Sequence, residues 1–315
     1  MRLPGFRAYS SATRRGATGA GVSLGDSGMA LEKTLAIFGY PLGHTMSPTL
    51  HNTAAAALGA PFHFLAYEVE PSKIEAAVRG AQAMGFAGLC ITIPHKVSAA
   101  ALMDELSEDA RLMGAVNVIT FEPGGRMKGH NTDGVGWLRS LEEEIGAHPR
   151  GMRCLLLGAG GAARAIAVKL AQCGAAHVEI RNRTAEKALS LAKTVKEAFP
   201  ALSIAGAELD DLAGAAKGCQ LIVNTTSQGM TGDAARMAAL PLPEEAIPAG
   251  AICSDAVYNP SETAFLKAAR RRGARGLSGV GWLVHQGAAA WEMWTGTKMP
   301  VPQVREAVLK ALGAR

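Results

Sequence analysis

The chain has 315 residues, enough for two modest domains, and its 48% hydrophobic and 19% charged residues are typical of a globular protein rather than a disordered one. The formal net charge of +5 is mild, and no block of Lys and Arg has the size of a nucleic-acid-binding arm. Nucleic acid is therefore not an expected partner. A membrane is not expected either, because no stretch approaches the roughly 18 to 20 consecutive apolar residues of a membrane span.

The first segment, residues 1–33, differs from the rest in composition. It is rich in Arg, Ser, Gly and Ala, contains no acidic residue before Asp26 and lacks the apolar centre of a secretory signal. We interpret residues 1–33 as a disordered leader. Two alternatives stay open, an organelle transit peptide and an extension upstream of a start at Met29.

From residue 34 to residue 133, short apolar runs alternate with helical patterns. Ser47 and Pro48 mark a helix start, with a hydroxyl for the N-cap and proline at the first helical position. The turn "PGG" joins two strands as a hairpin. Strands are predicted within 34–41, 62–69, 87–94, 115–122 and 126–131, and helices from Ser47 onward, over 72–85 and over 97–113.

The chain from residue 134 to residue 278 shows the same alternation. The stretch "RCLLLGAGGAARAIAVKLAQCG", residues 153–174, predicts an apolar strand, a glycine turn and a helix. Further predicted elements are a helix over 136–146 and strands within 177–184, 221–229 and 251–260. Such alternation is typical of an α/β protein with parallel sheets covered on both faces. We therefore expect two α/β domains, with the helices after Leu283 covering a sheet.

The glycine turn has the spacing of a dinucleotide site. Gly158, Gly160 and Ala163 follow the apolar strand in a G-x-G-x-x-A arrangement. The first glycine permits the tight turn, the second lets a pyrophosphate approach the N–H groups at the helix N-terminus, and the small third residue lets the helix pack on the strand. This context predicts dinucleotide binding.

The end of the next strand indicates which dinucleotide binds. The residue that reads the adenosine ribose normally lies about 20 residues after the glycines, and Asn182 lies 24 positions after Gly158. The tip carries Arg181, Arg183 and Lys187 and no carboxylate. Because Arg183 can form bidentate hydrogen bonds to a 2′-phosphate, the predicted cofactor is NADP. The alternative is a solvated turn with ordinary surface arginines.

Short polar motifs follow the strands of the first half. Taken singly, such residues are caps or turn residues, and Ser47 in particular fits a helix N-cap. In an open α/β sheet, however, the carboxyl ends of the strands converge on one crevice, so together these residues predict a small-molecule pocket. The residues are Thr45, Ser47, Thr92, Lys96, Asn117 and Asp133.

Two of these residues suit hydride transfer to and from a polyhydroxylated acid. Oxidation of an alcohol requires a titratable group within hydrogen-bond reach of the hydroxyl. Lys96 can exchange that proton, while Asp133 orients the ammonium and shares the hydroxyl. A catalytic role for His95 stays open beside its interpretation as a turn or core residue.

The cysteines and histidines predict neither a metal site nor disulfides. Cys90, Cys154, Cys173, Cys219 and Cys253 contain no Cys-x-x-Cys pair, and the histidines have no ligand-like spacing with carboxylates. A reducing, cytoplasmic location fits best.

At this point the motifs resemble, in order, those of the shikimate dehydrogenase family. The matching stretches are "GYPLGHTMSPTLHN", "ITIPHK", "GAVNV", "HNTDG", "LLGAGGAARA", "NRT", "NTTSQG", "DAVYNP" and "GVGWLVHQGAAAWEMWTG". The resemblance implies NADP-dependent, reversible reduction of 3-dehydroshikimate to shikimate in chorismate and aromatic amino-acid biosynthesis. It also implies a substrate-binding catalytic domain of residues 34–133 plus 279–315 and a Rossmann-like NADP-binding domain of residues 134–278. We expect a monomer or homodimer.

The resemblance also assigns residues by motif. Lys96 corresponds to the catalytic lysine of the family and Asp133 to its partner. The shikimate-contacting positions correspond to Thr45, Ser47, Thr92, Asn117, Tyr258 and Gln286. The cofactor positions correspond to Gly158, Ala159, Gly160, Gly161 and Ala162 for the pyrophosphate, Asn182, Arg183, Thr184 and Lys187 for the adenosine phosphate, and Ala256 and Gly279 near the nicotinamide.

Three residues depart from the family pattern. Thr45 stands where serine is usual, Trp282 where methionine is expected near the nicotinamide, and Lys187 where arginine is usual. The extra methyl group of Thr45 and the bulk of Trp282 leave a quinate/shikimate dehydrogenase-like paralogue with shifted substrate or cofactor preference as the alternative. A non-enzymatic NADP-binding regulator is the third interpretation, and the intact Lys96 and Asp133 pair argues against it.

Overall fold

The computed structural model describes residues 32–43, 45–232 and 234–313. The predicted leader therefore lies, except for its last two residues, outside the described residues. In the described part, no helix combines the length and the apolar character needed to cross a membrane.

The first sheet has six strands in the order β2-β1-β3-β5-β6-β4. Strands β1 to β3 run parallel, whereas β5 is antiparallel to both β3 and β6. The predicted hairpin joins β5 to β6, where Gly124 and Gly125 turn the chain at φ values of 82° and 80°. The first sheet is thus mixed rather than wholly parallel. The strands are β1 Lys33–Gly39, β2 Phe62–Glu68, β3 Gly88–Ile91, β4 Glu105–Leu106, β5 Val118–Phe121 and β6 Met127–His130.

The helices of this half differ from the prediction at one point. They are α1 Ser47–Leu58, α2 Ile74–Ala83, α3 Lys96–Ala100 and α4 Glu108–Met113, with a 3-10 turn at Pro71–Lys73. The single helix predicted over 97–113 is wrong, because strand β4 interrupts it. The Asp104 carboxylate accepts a hydrogen bond from Met127 N at 2.7 Å, which holds the chain beside β6. Ser107 then caps α4 by accepting from Ala110 N.

The second sheet is parallel throughout, in the order β9-β8-β7-β10-β11-β12. This is the 3-2-1-4-5-6 order of a Rossmann-like sheet. The predicted α/β class with a Rossmann-like half is confirmed. The strands are β7 Arg153–Leu157, β8 His177–Arg181, β9 Ser203–Ala207, β10 Leu221–Asn224, β11 Ile252–Asp255 and β12 Arg275–Leu277.

The second sheet carries helices on both faces, and two longer helices connect it to the first sheet. The inner residues of β7, 154–157, are fully buried, as expected for a strand between two helical layers. The helices are α5 Asp133–Ile145, α6 Gly161–Gln172, α7 Ala185–Ala198, α8 Leu212–Ala216, α9 Ala234–Ala238, α10 Ala264–Arg271, α11 Gly279–Thr295 and α12 Val301–Gly313, with a 3-10 turn at Glu244–Ala246.

Helices α5 and α11 pack directly on one another where the two sheets meet. An ideal Cβ at Gly136 of α5 would lie 2.4 Å from the backbone nitrogen of Gln286 in α11, so only glycine permits this approach. Arg139 of α5 donates two hydrogen bonds to the Glu292 carboxylate of α11, at 3.1 and 3.3 Å. This helix pair therefore fixes how the sheets lie relative to each other.

We expect Gly136→Ala to lower the free energy of unfolding by about 2 to 3 kcal/mol, because the new methyl group would overlap the α11 backbone. Gly80→Ala in α2 is the matched control, since a Cβ there meets no atom within 4 Å. The control should gain up to about 1 kcal/mol from helix propensity. Urea denaturation of both variants measures the difference, and equal midpoints would contradict the close approach of α5 to α11.

Candidate active site

A cavity of about 220 Å³ opens between the carboxyl edges of the two sheets. Both halves of the molecule contribute to its wall, as expected for a ligand site between α/β units. Its lining residues are Ile37, Thr45, Met46, Ser47, Cys90, Ile91, Thr92, Lys96, Asn117, Asp133, Ala162, Ala256, Tyr258, Gly279, Trp282, Leu283 and Gln286. The structure thus brings the candidate catalytic and substrate residues together around one space.

Lys96 and Asp133 form an ion pair in this cavity. Lys96 Nζ lies 2.6 Å from Asp133 Oδ2, and the two side chains are 24% and 13% exposed. Each residue is the first of its helix, α3 for Lys96 and α5 for Asp133, so two helix starts converge on the cavity. The ammonium has three N–H donors and the pair uses one, which leaves donors for a ligand oxygen.

Asn131 and Thr132 of "HNTDG", together with Asn117, hold this carboxylate in place. Asp133 Oδ1 accepts from Asn117 Nδ2 at 3.0 Å, and Asp133 N donates to Asn131 Oδ1 at 3.0 Å. Asn131 is anchored by donating to the Ala115 carbonyl, and Thr132 N donates to Asn117 Oδ1 at 2.8 Å. Asn131 and Thr132 are buried, so the network is rigid and directs Asp133 towards Lys96.

Thr45 and Ser47 place two hydroxyl groups together at the start of α1. Thr45 Oγ1 donates to Ser47 Oγ at 3.3 Å, and both residues line the cavity. The prediction that Ser47 is the N-cap is wrong: Met46 occupies that position, no side chain caps the helix, and Ser47 is the first helical residue. The Ser47 hydroxyl is therefore not used for capping. The other predicted substrate residues, Thr92, Asn117, Tyr258 and Gln286, line the same cavity.

The glycine turn has the geometry that a pyrophosphate needs. Gly158 has a φ of 108°, and a Cβ there would lie 2.5 Å from Thr225 Oγ1, so the tight turn requires glycine. At Gly160 and Gly161 a Cβ would meet no atom within 4 Å, which leaves open space at the start of α6. No side chain caps α6, so its first N–H groups are available to an anion.

The tip of β8 has free cations beside this turn. Arg183 and Lys187 are exposed and form no ion pair within the described residues, whereas Arg181 is engaged by Glu179 and Asp210. Asn182 Nδ2 donates to the Thr184 carbonyl at 2.9 Å, which shapes the turn. The open glycine turn and the unpaired cations together fit a dinucleotide with an extra phosphate.

The predicted cofactor residues fall into two places. Ala162, Ala256 and Gly279 line the cavity. The others lie outside its wall, at the carboxyl ends of β7 and β8 or in the first turn of the helix that follows each strand, and are Gly158, Ala159, Gly160, Gly161, Asn182, Arg183, Thr184 and Lys187.

Sequence reasoning missed the apolar part of the cavity wall. Met46, Ile91 and Leu283 line it beside predicted polar residues, and so does Cys90. Burial raises the pKa of the Cys90 thiol to about 12. The thiol therefore stays protonated and lines the cavity as a neutral group rather than acting as a nucleophile. Thr92 follows β3 directly, and Cys90 lies two residues before it and so on the same face, a signal that could have identified Cys90.

His95 does not contribute to the cavity wall. Its ring is buried, and Nε2 lies 2.7 Å from the Val69 carbonyl. This contact supports the interpretation of His95 as a core residue. Across the described ranges, no group of three or more His, Cys, Asp and Glu side chains is arranged to hold a metal ion.

A buried carboxylate, Asp255, organises the loop that carries Ala256 and Tyr258. Its Oδ1 accepts from Asn224 Nδ2 at 2.9 Å and from Val257 N at 3.0 Å, and its Oδ2 accepts from Thr263 Oγ1 at 2.6 Å. Burial raises the pKa of the Asp255 carboxyl to about 6, although the three hydrogen bonds oppose this shift. Asp255 is the last residue of β11, and no sequence signal distinguished it from other polar residues at strand ends.

This raised pKa makes the stability of the fold depend on pH. The folded protein binds the Asp255 proton more tightly than the unfolded chain, whose carboxyl has a pKa near 3.8. The stabilisation of the folded state by this proton is therefore complete below about pH 4 and is lost as the pH rises through about 6. We expect Asp255→Asn to remove up to about 3 kcal/mol of the decrease in unfolding free energy between pH 4 and pH 7. Urea denaturation of both proteins across this range measures it, and parallel pH profiles would contradict it.

Comparison with known protein families gives three matches that follow one another along the chain. Residues 37–119 match the profile described as shikimate dehydrogenase substrate binding domain. Residues 140–237 match shikimate / quinate 5-dehydrogenase, and residues 279–309 match the shikimate 5'-dehydrogenase C-terminal domain.

Individual proteins are similar over nearly their whole length. Shikimate dehydrogenase (NADP(+)) of Methanopyrus kandleri is 43% identical over 279 residues, covering 88% of this chain and 94% of that protein. The protein of the same name from Geobacillus kaustophilus is 42% identical over 285 residues, covering 90% and 99%. The crystal structure of shikimate 5-dehydrogenase from Thermus thermophilus, in complex with NADP(H) and shikimate, superposes with a TM-score of 0.77 at 32% identity, covering 89% of this chain and 99% of that one.

Proposed function

The chain belongs to the shikimate dehydrogenase family, and from this premise we propose how its residues catalyse the reversible, NADPH-dependent reduction of 3-dehydroshikimate to shikimate in chorismate and aromatic amino-acid biosynthesis. It is an NADP-dependent oxidoreductase that acts on a CH–OH group. The observation that carries the residue assignments is the ion pair of Lys96 and Asp133 inside the cavity, at 2.6 Å.

Lys96 is the proton donor for the reduction. When bound, NADPH supplies the hydride for the ketone carbon. The Lys96 ammonium gives a proton to the ketone oxygen as the alcohol forms, and in the reverse direction the neutral amine takes it back. Asp133 holds the ammonium in position through its contact with Nζ, and its other oxygen is fixed by Asn117. The pair therefore sets where the reacting oxygen must lie.

The ring of the substrate lies between the hydroxyl groups of α1 and the amide side chains of the opposite wall. Thr45 and Ser47 offer two O–H donors to the ring carboxylate, as the contact between their oxygens indicates. Thr92, Asn117, Tyr258 and Gln286 surround the same space and bind the ring hydroxyls in this proposal. Gln286 donates to the Leu283 carbonyl, which keeps its side chain against the wall.

The glycine turn and the tip of β8 hold NADP. The N–H groups at the start of α6 bind the pyrophosphate across residues 158–162, where Gly160 and Gly161 leave room for close approach. Arg183 and Lys187 pair with the 2′-phosphate, while Asn182 and Thr184 shape the turn beside the adenosine. Ala256 and Gly279 are small residues that leave space for the nicotinamide next to the cavity.

These assignments divide the chain as the sequence analysis did. Residues 34–133 plus 279–315 form the substrate-binding catalytic domain, and residues 134–278 form the NADP-binding domain. The division is supported by the two separate sheets, which meet at α5 and α11. We also place the enzyme in the cytoplasm as a monomer or homodimer, and the five free cysteines are consistent with a reducing compartment.

One observation favours a second candidate, a quinate/shikimate dehydrogenase-like paralogue. Thr45 lines the cavity, so its extra methyl group meets the ligand end that the hydroxyl pair binds. Absorbance of the reduced nicotinamide separates the two candidates. We expect turnover with shikimate and NADP to exceed turnover with quinate and NAD, and activity with the second pair alone would overturn both the substrate and the cofactor assignments.

A further inference from the structure

Trp282 differs from the other tryptophans in its hydrogen bonding. A buried indole N–H normally finds an acceptor. The other three donate, Trp137 to Ser254 Oγ at 3.1 Å, Trp291 to Thr297 Oγ1 at 3.2 Å and Trp294 to the Ile119 carbonyl at 3.0 Å. In the part of the chain that the structure describes, the Trp282 N–H has no such partner.

The free N–H of Trp282 opens on the cavity. Trp282 is 7% exposed and lines the cavity wall. Among the described residues, the one side-chain nitrogen or oxygen that is fully enclosed without a partner is His51 Nδ1, so the indole nitrogen of Trp282 still reaches open space. Because Trp282 lines the cavity and is otherwise buried, we assign the cavity as that space.

Trp282 belongs to the cofactor side of the cavity. It packs in the core of the second sheet, the cluster on which Ala159, Ala162 and Ala256 also pack. Its neighbours on α11, Val280 and Val284, pack instead in the core of the first sheet. The indole therefore projects from α11 towards the glycine-turn helix and away from the hydroxyl pair of α1.

We propose that the Trp282 indole N–H would donate a hydrogen bond to the carboxamide oxygen of a bound nicotinamide and so orient the nicotinamide at the cavity that Lys96 and Asp133 also line. This inference rests on the proposed function, because it needs NADP in the glycine turn. A carbonyl acceptor is required since an indole nitrogen donates and cannot accept. The methionine that the family pattern places here has no such donor, so Trp282 would act as a positioning residue that a methionine cannot replace.

The test compares NADP with its thionicotinamide analogue, in which a sulfur atom replaces the carboxamide oxygen. Sulfur is the weaker acceptor, so the wild-type protein should bind the analogue about three- to tenfold more weakly than NADP by calorimetry. Trp282→Phe keeps an aromatic face but lacks the N–H, so it should bind both dinucleotides within about twofold of each other. The same ratio in both proteins would overturn the proposal.

Two further measurements keep the outcome unambiguous. Adenosine 2′,5′-bisphosphate lacks the nicotinamide, so wild type and Trp282→Phe should bind it equally, and a large loss would overturn a role confined to the nicotinamide. Should Trp282→Phe fail to fold, Trp282→Met replaces it with the same expected result. Failure of the proposed function would be seen in a different measurement. In that case the wild-type protein would not turn over shikimate, although it would still bind NADP more tightly than the thionicotinamide analogue.

Discussion

Replacing Lys96 with methionine should lower kcat for shikimate oxidation by about three orders of magnitude, within the range that a positioned acid–base group contributes. Methionine keeps an unbranched side chain of similar length but has no proton to exchange. KM for shikimate should change far less, because Thr45 and Ser47 bind the opposite end of the ring in our proposal. Steady-state kinetics at saturating NADP measures both constants.

Lys128→Met is the matched control for this prediction. Lys128 forms an ion pair with Glu105 at the same 2.6 Å, but it lies on β6 and does not line the cavity. The control should keep the wild-type kcat, since a surface ion pair contributes at most about 1 kcal/mol to stability. Equal losses of kcat in the two variants would show that the effect is structural rather than catalytic.

Arg183→Ala should raise KM for NADP by about 10- to 100-fold and leave KM for NAD nearly unchanged. A hydrogen bond to a charged group contributes about 1.5 to 3 kcal/mol, and the 2′-phosphate that Arg183 pairs with is absent from NAD. Because the Arg183 side chain is exposed and has no ion-pair partner among the described residues, its loss should not destabilise the fold. The ratio of the two KM values in the variant and in the wild type is the measurement.

Lys193→Ala removes an exposed cation of α7, the helix that follows the tip of β8, and is the control for Arg183. It should leave the preference for NADP over NAD unchanged, because Lys193 lies two helical turns beyond the tip of β8. If the two variants lose NADP affinity equally, the general positive charge of this face, and not a contact with the phosphate, would explain cofactor selection.

The sequence predicted much of the fold because short-range signals specify it. The apolar run of β7 and the glycine turn before α6 predict the Rossmann-like half. The predicted helix over 97–113 failed because its interruption depends on a long-range contact, that of Asp104 with the backbone of Met127, which helical periodicity does not report. Likewise, β12 has three residues and pairs only with β11, so its existence depends on the neighbouring strand.

The candidate site shows the same division between local and long-range information. Polar motifs at strand ends predicted which residues would gather, and the structure places Lys96 and Asp133 in contact although 37 positions separate them. Two features of the site could be recognised only from the tertiary structure. The raised pKa of Asp255 arises from burial, and the unpaired N–H of Trp282 is visible only when the partners of all four tryptophans are compared.

A crystal structure with shikimate and NADP bound tests the central claim most directly. We expect the reacting alcohol oxygen within about 3.2 Å of Lys96 Nζ and in contact with Asp133, on the side of the ring that faces the nicotinamide. A ring whose reacting hydroxyl lies beyond hydrogen-bond distance of both side chains, in a complex that remains active, would contradict the assignment of this pair as the catalytic centre.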